Sequence, residues 1–191
     1  MYKIDTNLDS ESRGANFLDV GIHEDVELID IAFNVSSEGN EFLVFTFSKD
    51  NKLLKHTEWR PKDEDPEKLE SKIMNQAKRF KHIATKFIPE DRYQLQVEDF
   101  KGLCDSTIRL LGTEYKGKKV RTKVVYSNSN YTSLPNYRPF IENMEVPKTE
   151  SKLEILSIDK MVKDRPDQES VTKNPLADVP TTAEDSMELL F

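Results

Sequence analysis

A mainly β fold interrupted by a helical insertion follows from three features of this 191-residue chain. Short runs of alternating apolar residues occupy its first third and return near residue 120. Between them lies a long stretch whose apolar residues recur at spacings of three and four, the period of a helix. After residue 163 comes an acidic end with three prolines, no glycine and no aromatic residue before Phe191. Such a segment buries too little apolar surface to offset the entropy of ordering it, and disorder is expected there.

Residues 1–20 mix charged and small groups without periodicity and read as a flexible arm. Gly21 opens the first strand. Within 22–35 the apolar phase starts on Val26 and Leu28, then shifts by one to Ile29, Ile31, Phe33 and Val35. A strand makes that shift at a bulge or strong bend, which would let it serve two sheets. Ser36-Ser37-Glu38-Gly39-Asn40 is a turn by composition. In 41–48, Phe42 and Val44 alternate with Leu43, Phe45 and Phe47, predicting a strand covered on both faces. Lys49-Asp50-Asn51-Lys52 turns the chain into 53–59, completing a three-strand meander.

Asp65-Pro66-Glu67 supplies an N-cap, a first-turn proline and an acid that complements the helix dipole. Leu69, Ile73, Ala77, Phe80, Ala84 and Phe87 form one stripe ending before Pro89. Lys68, Lys72, Lys78, Arg79, Lys81 and Lys86 occupy the other side. A second helix is predicted over 99–111, with Phe100, Leu103, Thr107 and Leu110 inward and Gly112 past its end. The insertion therefore spans about 66–111. Strand 118–126 separates Val120, Thr122, Val124 and Tyr126 from Lys119, Arg121, Lys123 and Val125, so one face reads as apolar and the other as cationic. Ser127-Asn128-Ser129-Asn130 makes a loop, a last strand is expected near 137–141, and 153–161 has the spacing of a docked short helix or strand. Residues 21–163 then form one domain and 164–191 an acidic tail.

Composition narrows the chemistry. Cys104 is the single cysteine, which precludes an internal disulfide or a multi-cysteine zinc site, fits a reducing compartment, and reads as a small buried side chain. No apolar run reaches the roughly 18 residues of a membrane span, and the N-terminus has no secretory stretch, so a soluble, cytoplasmic protein is expected. His23, His56 and His82 fall on separate elements without a metal-ligand pattern, and no glycine-rich phosphate loop exists. A non-catalytic protein needing no cofactor or metal is the expectation.

The formal net charge is −7, of which residues 164–191 carry −5, seven acids against Arg165 and Lys173. The body is close to neutral, and its charge is distributed unevenly. From Thr113 to Tyr126, Lys116, Lys118, Lys119, Arg121 and Lys123 face only Glu114, and the next stretch adds Arg138 with Tyr131, Tyr137 and Phe140. Trp59, near Lys55 on the third strand, is a further candidate. Cations track a phosphate backbone and aromatic faces stack on unpaired bases, a combination suited to single strands, with stacking worth roughly 1–3 kcal/mol per base. An amphipathic edge strand with solvated lysines and core tyrosines would look the same in sequence.

Three strands with a bent first one, a helical insertion and two further strands make the order of the five-stranded OB barrel, whose face binds oligonucleotides. The chain resembles phage-type single-stranded DNA-binding proteins through Gly21-Ile22-His23, Asn40-Glu41-Phe42-Leu43-Val44-Phe45-Thr46-Phe47, Val120-Arg121-Thr122-Lys123-Val124-Val125-Tyr126 and Leu134-Pro135-Asn136-Tyr137-Arg138-Pro139-Phe140. Its acidic end closed by Phe191 is similar to the tail those proteins use to recruit replication enzymes, although here the tip is Leu-Leu-Phe. The resemblance implies a protein that coats single-stranded DNA during replication or recombination, in the host cytoplasm if phage-encoded. Lys55, Lys119, Arg121, Lys123 and Arg138 would neutralise phosphates, with Tyr131, Tyr137 and Trp59 stacking on bases. Asp185, Glu188, Leu189, Leu190 and Phe191 would bind the partner protein. An RNA-binding OB module and a protein-only adaptor are the alternatives.

Overall fold

The computed structural model describes residues 16–164. Strand β1, Gly21–Val35, lies beside β2, Glu41–Lys49, and β2 beside β3, Lys52–Trp59. The β2–β3 turn is two residues long, with Asp50 at φ 50° and Asn51 at φ 62°. Two positive φ values in a two-residue loop match the right-handed twist of the strands, and Asp and Asn tolerate them better than other side chains. Strand β4, Lys119–Tyr126, pairs with the other edge of β1; β5, Thr132–Ser133, and β6, Ile141–Asn143, pair with its end and start. The result is a six-stranded antiparallel sheet with path β3-β2-β1-β4-β5 and β6 off that path. His56 Nδ1 and Ser133 Oγ lie 3.0 Å apart, joining the two ends of the path through side chains.

The bend in β1 falls where the apolar phase predicts it. Register with β2 shifts between Leu28 and Asp30, so Leu28 is buried, Ile29 is left 46 % exposed, and Ile31 resumes the inward face. A second irregularity, between His23 and Val26, carries Asp25 at φ 56° and had no signature in the pattern. Strand β2 differs from expectation on its outer side. Leu43, Phe45 and Phe47 are fully buried, while Phe42 and Val44 are half-covered.

Helix α1, Pro66–Ala84, starts at Asp65, whose carboxylate accepts from the N–H groups of Glu67 and Lys68. Only its second half enters the core. Phe80, Ile83 and Ala84 are buried, whereas Ile73 and Met74 are about half exposed. Helix α2, Phe100–Leu111, is capped by Asp99, which accepts from Gly102 N at 2.7 Å. A side chain at Gly102 would place its Cβ 3.0 Å from that carboxylate, so glycine suits a first turn that otherwise disfavours it. Phe80 joins the layers, its ring 5.6 Å from Phe45 and 6.4 Å from Phe100, both edge-on. Fully burying one such ring stabilises by about 1.5–3 kcal/mol. Cys104 is buried on the core side of α2, and burial pushes its thiol up to about 12.

Three boundaries change. Asn16 to Leu18 are docked rather than loose, since Leu18 is buried and the segment bonds the backbone of Leu53. The strand expected near 137–141 meets the structure only at Ile141, where β6 begins, and β5 lies before it. Residues 151–164 form neither helix nor strand but an irregular strap, fastened by Tyr126 N to Lys160 O at 2.8 Å and by Leu153 in the core. Among the described residues no helix is long and apolar enough to cross a membrane.

Candidate nucleic-acid interface

Alternation along β3 builds one wall of a groove. Leu54, His56 and Glu58 turn inward, so Lys55, Thr57 and Trp59 turn outward. Trp59 is 51 % exposed and its ring rests on Phe42, with centroids 4.4 Å apart. Opposite stands Tyr131, 72 % exposed, on a loop closed by Ser127 N to Tyr131 O at 2.8 Å. Phe17, 44 % exposed, is held at one end because its neighbour Leu18 is anchored in the core. These rings line a concavity of about 800 Å³ that also includes Lys55, Tyr126 and Lys163. A second concavity of about 710 Å³ continues from it, sharing Thr57, Trp59 and Asn136, and is lined by Lys72, Lys78, Arg79, Tyr137 and Arg138. One half is aromatic and the other cationic.

A buried carboxylate sets the wall between them. Glu58, 4 % exposed, accepts a two-pronged bond from Arg79 at 2.6 and 2.7 Å, one from Gln76 at 3.0 Å, and contacts His56 at 3.1 Å. Gln76 also donates to Trp59 O at 2.8 Å, so the same residue ties α1 to the strand that carries the tryptophan. Burial by itself would raise the Glu58 pKa; the bonds from Arg79 and His56 outweigh it and bring it to about 2. Arg79 is consumed by this pairing, and Lys72 by Asp63 at 2.7 Å. Lys55, Lys78, Arg138 and Lys163 have no ion-pair partner among the described residues, and all four line the two concavities, Lys163 with its Nζ 5.5 Å from the Tyr126 ring centroid. Near Arg138, burial and the charges of Lys86 and Arg138 lower the His82 pKa to about 4, so that ring is neutral at pH 7.

Five of the eight residues expected to hold nucleic acid therefore line one groove: Lys55, Trp59, Tyr131, Tyr137 and Arg138. Three do not. Arg121 and Lys123 are 4 % and 1 % exposed, which removes them from contact with a phosphate. Lys123 Nζ reaches Asp159 Oδ2 at 3.0 Å, Tyr137 Oη at 2.9 Å and Glu154 O at 3.0 Å. Arg121 bonds Glu24 at 2.9 Å and also Glu142. The alternation in β4 is real, but residues 141–160 fold over its charged face and bring their own acids. Burial would raise the Asp159 pKa; bonds from the Tyr137 hydroxyl, the Leu156 N–H and Lys123 reverse this and hold it below the usual range. The Tyr137 hydroxyl is thus committed to the fold, and only its half-buried ring is left for the groove. Lys119 is exposed, 3.8 Å from Asp25, and lines neither concavity. Asp185, Glu188, Leu189, Leu190 and Phe191 lie outside the described residues.

Sequence reasoning missed Phe17, Lys72, Lys78 and Asn136. The helix lysines were visible as a polar stripe, but nothing in their spacing said which part of it faces a groove. Phe17 sat in a stretch without periodicity. Among the described residues no group of three His, Cys, Asp or Glu side chains is arranged to hold a metal ion. No protein-family model matches the chain, and no curated protein matches it.

Proposed function

We propose that this protein binds single-stranded DNA with little sequence preference, on an OB-type barrel whose groove lies between β3 and β5. The observation that carries the reading is the continuity of exposed Trp59, Tyr131 and Phe17 with the cations Lys55, Lys78 and Arg138 in adjoining concavities. Rings offer stacking platforms to any base, and nearby cations meet the backbone that a stacked strand carries past them. The barrel reading is supported by the path β3-β2-β1-β4-β5 and by the His56–Ser133 bond between its ends. The acidic tip, with Leu189, Leu190 and Phe191, recruits replication or recombination proteins in this proposal.

Titration with single-stranded and duplex DNA at two salt concentrations tests it. Oligo-dT should quench Trp59 fluorescence, and its log affinity should fall against log salt with a slope of about −0.7 per phosphate neutralised. Equal affinity for duplex, or affinity indifferent to salt, would defeat the proposal. Deleting residues 185–191 should leave DNA affinity equal or tighter while abolishing partner capture.

A further inference from the structure

Strand β3 has a full ladder partner, β2, along one edge and only an isolated bridge, Phe17 to Leu53, along the other. The two-residue turn makes Lys49 and Lys52 a mutually hydrogen-bonded pair, so Lys52, Leu54, His56 and Glu58 direct N–H and C=O toward β2. Leu53, Lys55, Thr57 and Trp59 direct theirs the opposite way. The bond from Arg60 N to Glu41 O at 2.9 Å follows the same alternation. Two of the four outward residues are occupied. Leu53 bonds Asn16 O and Leu18 N at 2.7 and 2.8 Å, and Trp59 O accepts from Gln76 at 2.8 Å. Between them, the main-chain groups of Lys55 and Thr57 have no partner among the described residues. The docked N-terminal segment leaves the edge after Leu18, and two-residue β5 stands beside β3 without forming a ladder with it, joined to it by the Ser133 and His56 side chains.

Lys55 and Thr57 line the groove whose exposed rings are Phe17, Trp59 and Tyr131. Each presents one donor and one acceptor side by side on the edge away from β2, and both residues border the concavity. The Watson–Crick edge of every base also places a donor next to an acceptor. In a duplex that edge is already used.

We propose that the open edge of β3, through the backbone of Lys55 and Thr57, hydrogen-bonds the Watson–Crick edges of bases stacked in the groove. The groove then accepts any unpaired base and rejects a paired one. This rests on the nucleic-acid reading above and adds its means of single-strand selectivity. It accounts for selectivity by hydrogen bonding rather than by stacking or charge, both of which duplex ends and backbones can also engage.

The test compares oligo-dT with an oligonucleotide of equal length in which every thymine carries a methyl group on N3, using the full chain at constant salt. The modified strand keeps its phosphates and ring faces but lacks the imide donor. It should still quench Trp59 and show the same salt slope, while binding weaker by roughly 2- to 13-fold for each hydrogen bond lost. Thr57→Pro deletes one outward N–H at an edge position that tolerates proline. It should weaken oligo-dT and leave the N3-methyl strand nearly unchanged. Equal affinity for the two oligonucleotides would overturn the proposal and would leave the edge to a strand-forming peptide; equal weakening of both by Thr57→Pro would overturn it too. Failure of oligo-dT itself to bind would instead remove the parent reading.

Discussion

Lys123→Met separates the two roles a cation on β4 could have. The substitution preserves the aliphatic stem but removes the ammonium that Asp159, Tyr137 and the Glu154 carbonyl share. It leaves the Asp159 side chain, 0 % exposed, as an unpaired charge. Breaking a buried ion pair at one partner costs about 3–5 kcal/mol. Asp159 retains donors in the Tyr137 hydroxyl and in Leu156 N at 2.7 Å, which places the loss near the lower bound, about 3 kcal/mol. At about 2–4 °C per kcal/mol for a domain of this size, the melting temperature should fall by roughly 6–12 °C. Urea unfolding gives the free energy directly. Lys123→Met with Asp159→Asn should recover most of it, because Asn accepts from Leu156 N without carrying a charge. Oligo-dT affinity, measured well below the melting point, should stay within about twofold, since Lys123 meets no solvent. Unchanged stability with a tenfold loss of DNA affinity and a shallower salt slope, each roughly what one phosphate contact supplies, would refute this account and restore Lys123 to the interface.

The groove residues should behave in the opposite manner. Trp59→Ala and Tyr131→Ala are each expected to cost about 1–3 kcal/mol of oligo-dT binding, read by anisotropy, with the melting temperature little changed for exposed Tyr131 and lowered for Trp59, whose ring packs on Phe42. Lys78→Ala and Arg138→Ala should each reduce the salt slope by roughly 0.7 and weaken all sequences alike. Glu58 should govern acid stability. Its folded pKa, about 2 against an ordinary 4.5, is depressed, so its contribution is complete above pH 4.5 and disappears as pH falls toward 2. Glu58→Gln should melt lower than the parent at pH 7 and lose less than the parent between pH 4.5 and 2.

What could be read from the chain was local. The bulge in β1 showed as a slip of apolar phase, because a period of two tolerates no silent insertion. Asp65 announced its helix because a carboxylate at an N-cap answers backbone donors that nothing else nearby can satisfy. Lys55, Trp59, Tyr131 and Arg138 were identifiable as candidates by residue type alone.

Tertiary structure decided which candidates face solvent. Arg121 and Lys123 sit on β4 with the same alternation as an exposed cationic strand, and the return of residues 141–160 with Glu142 and Asp159, together with Glu24 on β1, turns them into buried pairs. The half-exposed start of α1, the anchoring of Phe17 through Leu18, and the unpaired stretch of β3 depend on neighbours far away in sequence. Periodicity encodes that one side of a strand differs from the other. Which side is covered, and by what, is a property of the elements packed against it, and β4 carries no record of them.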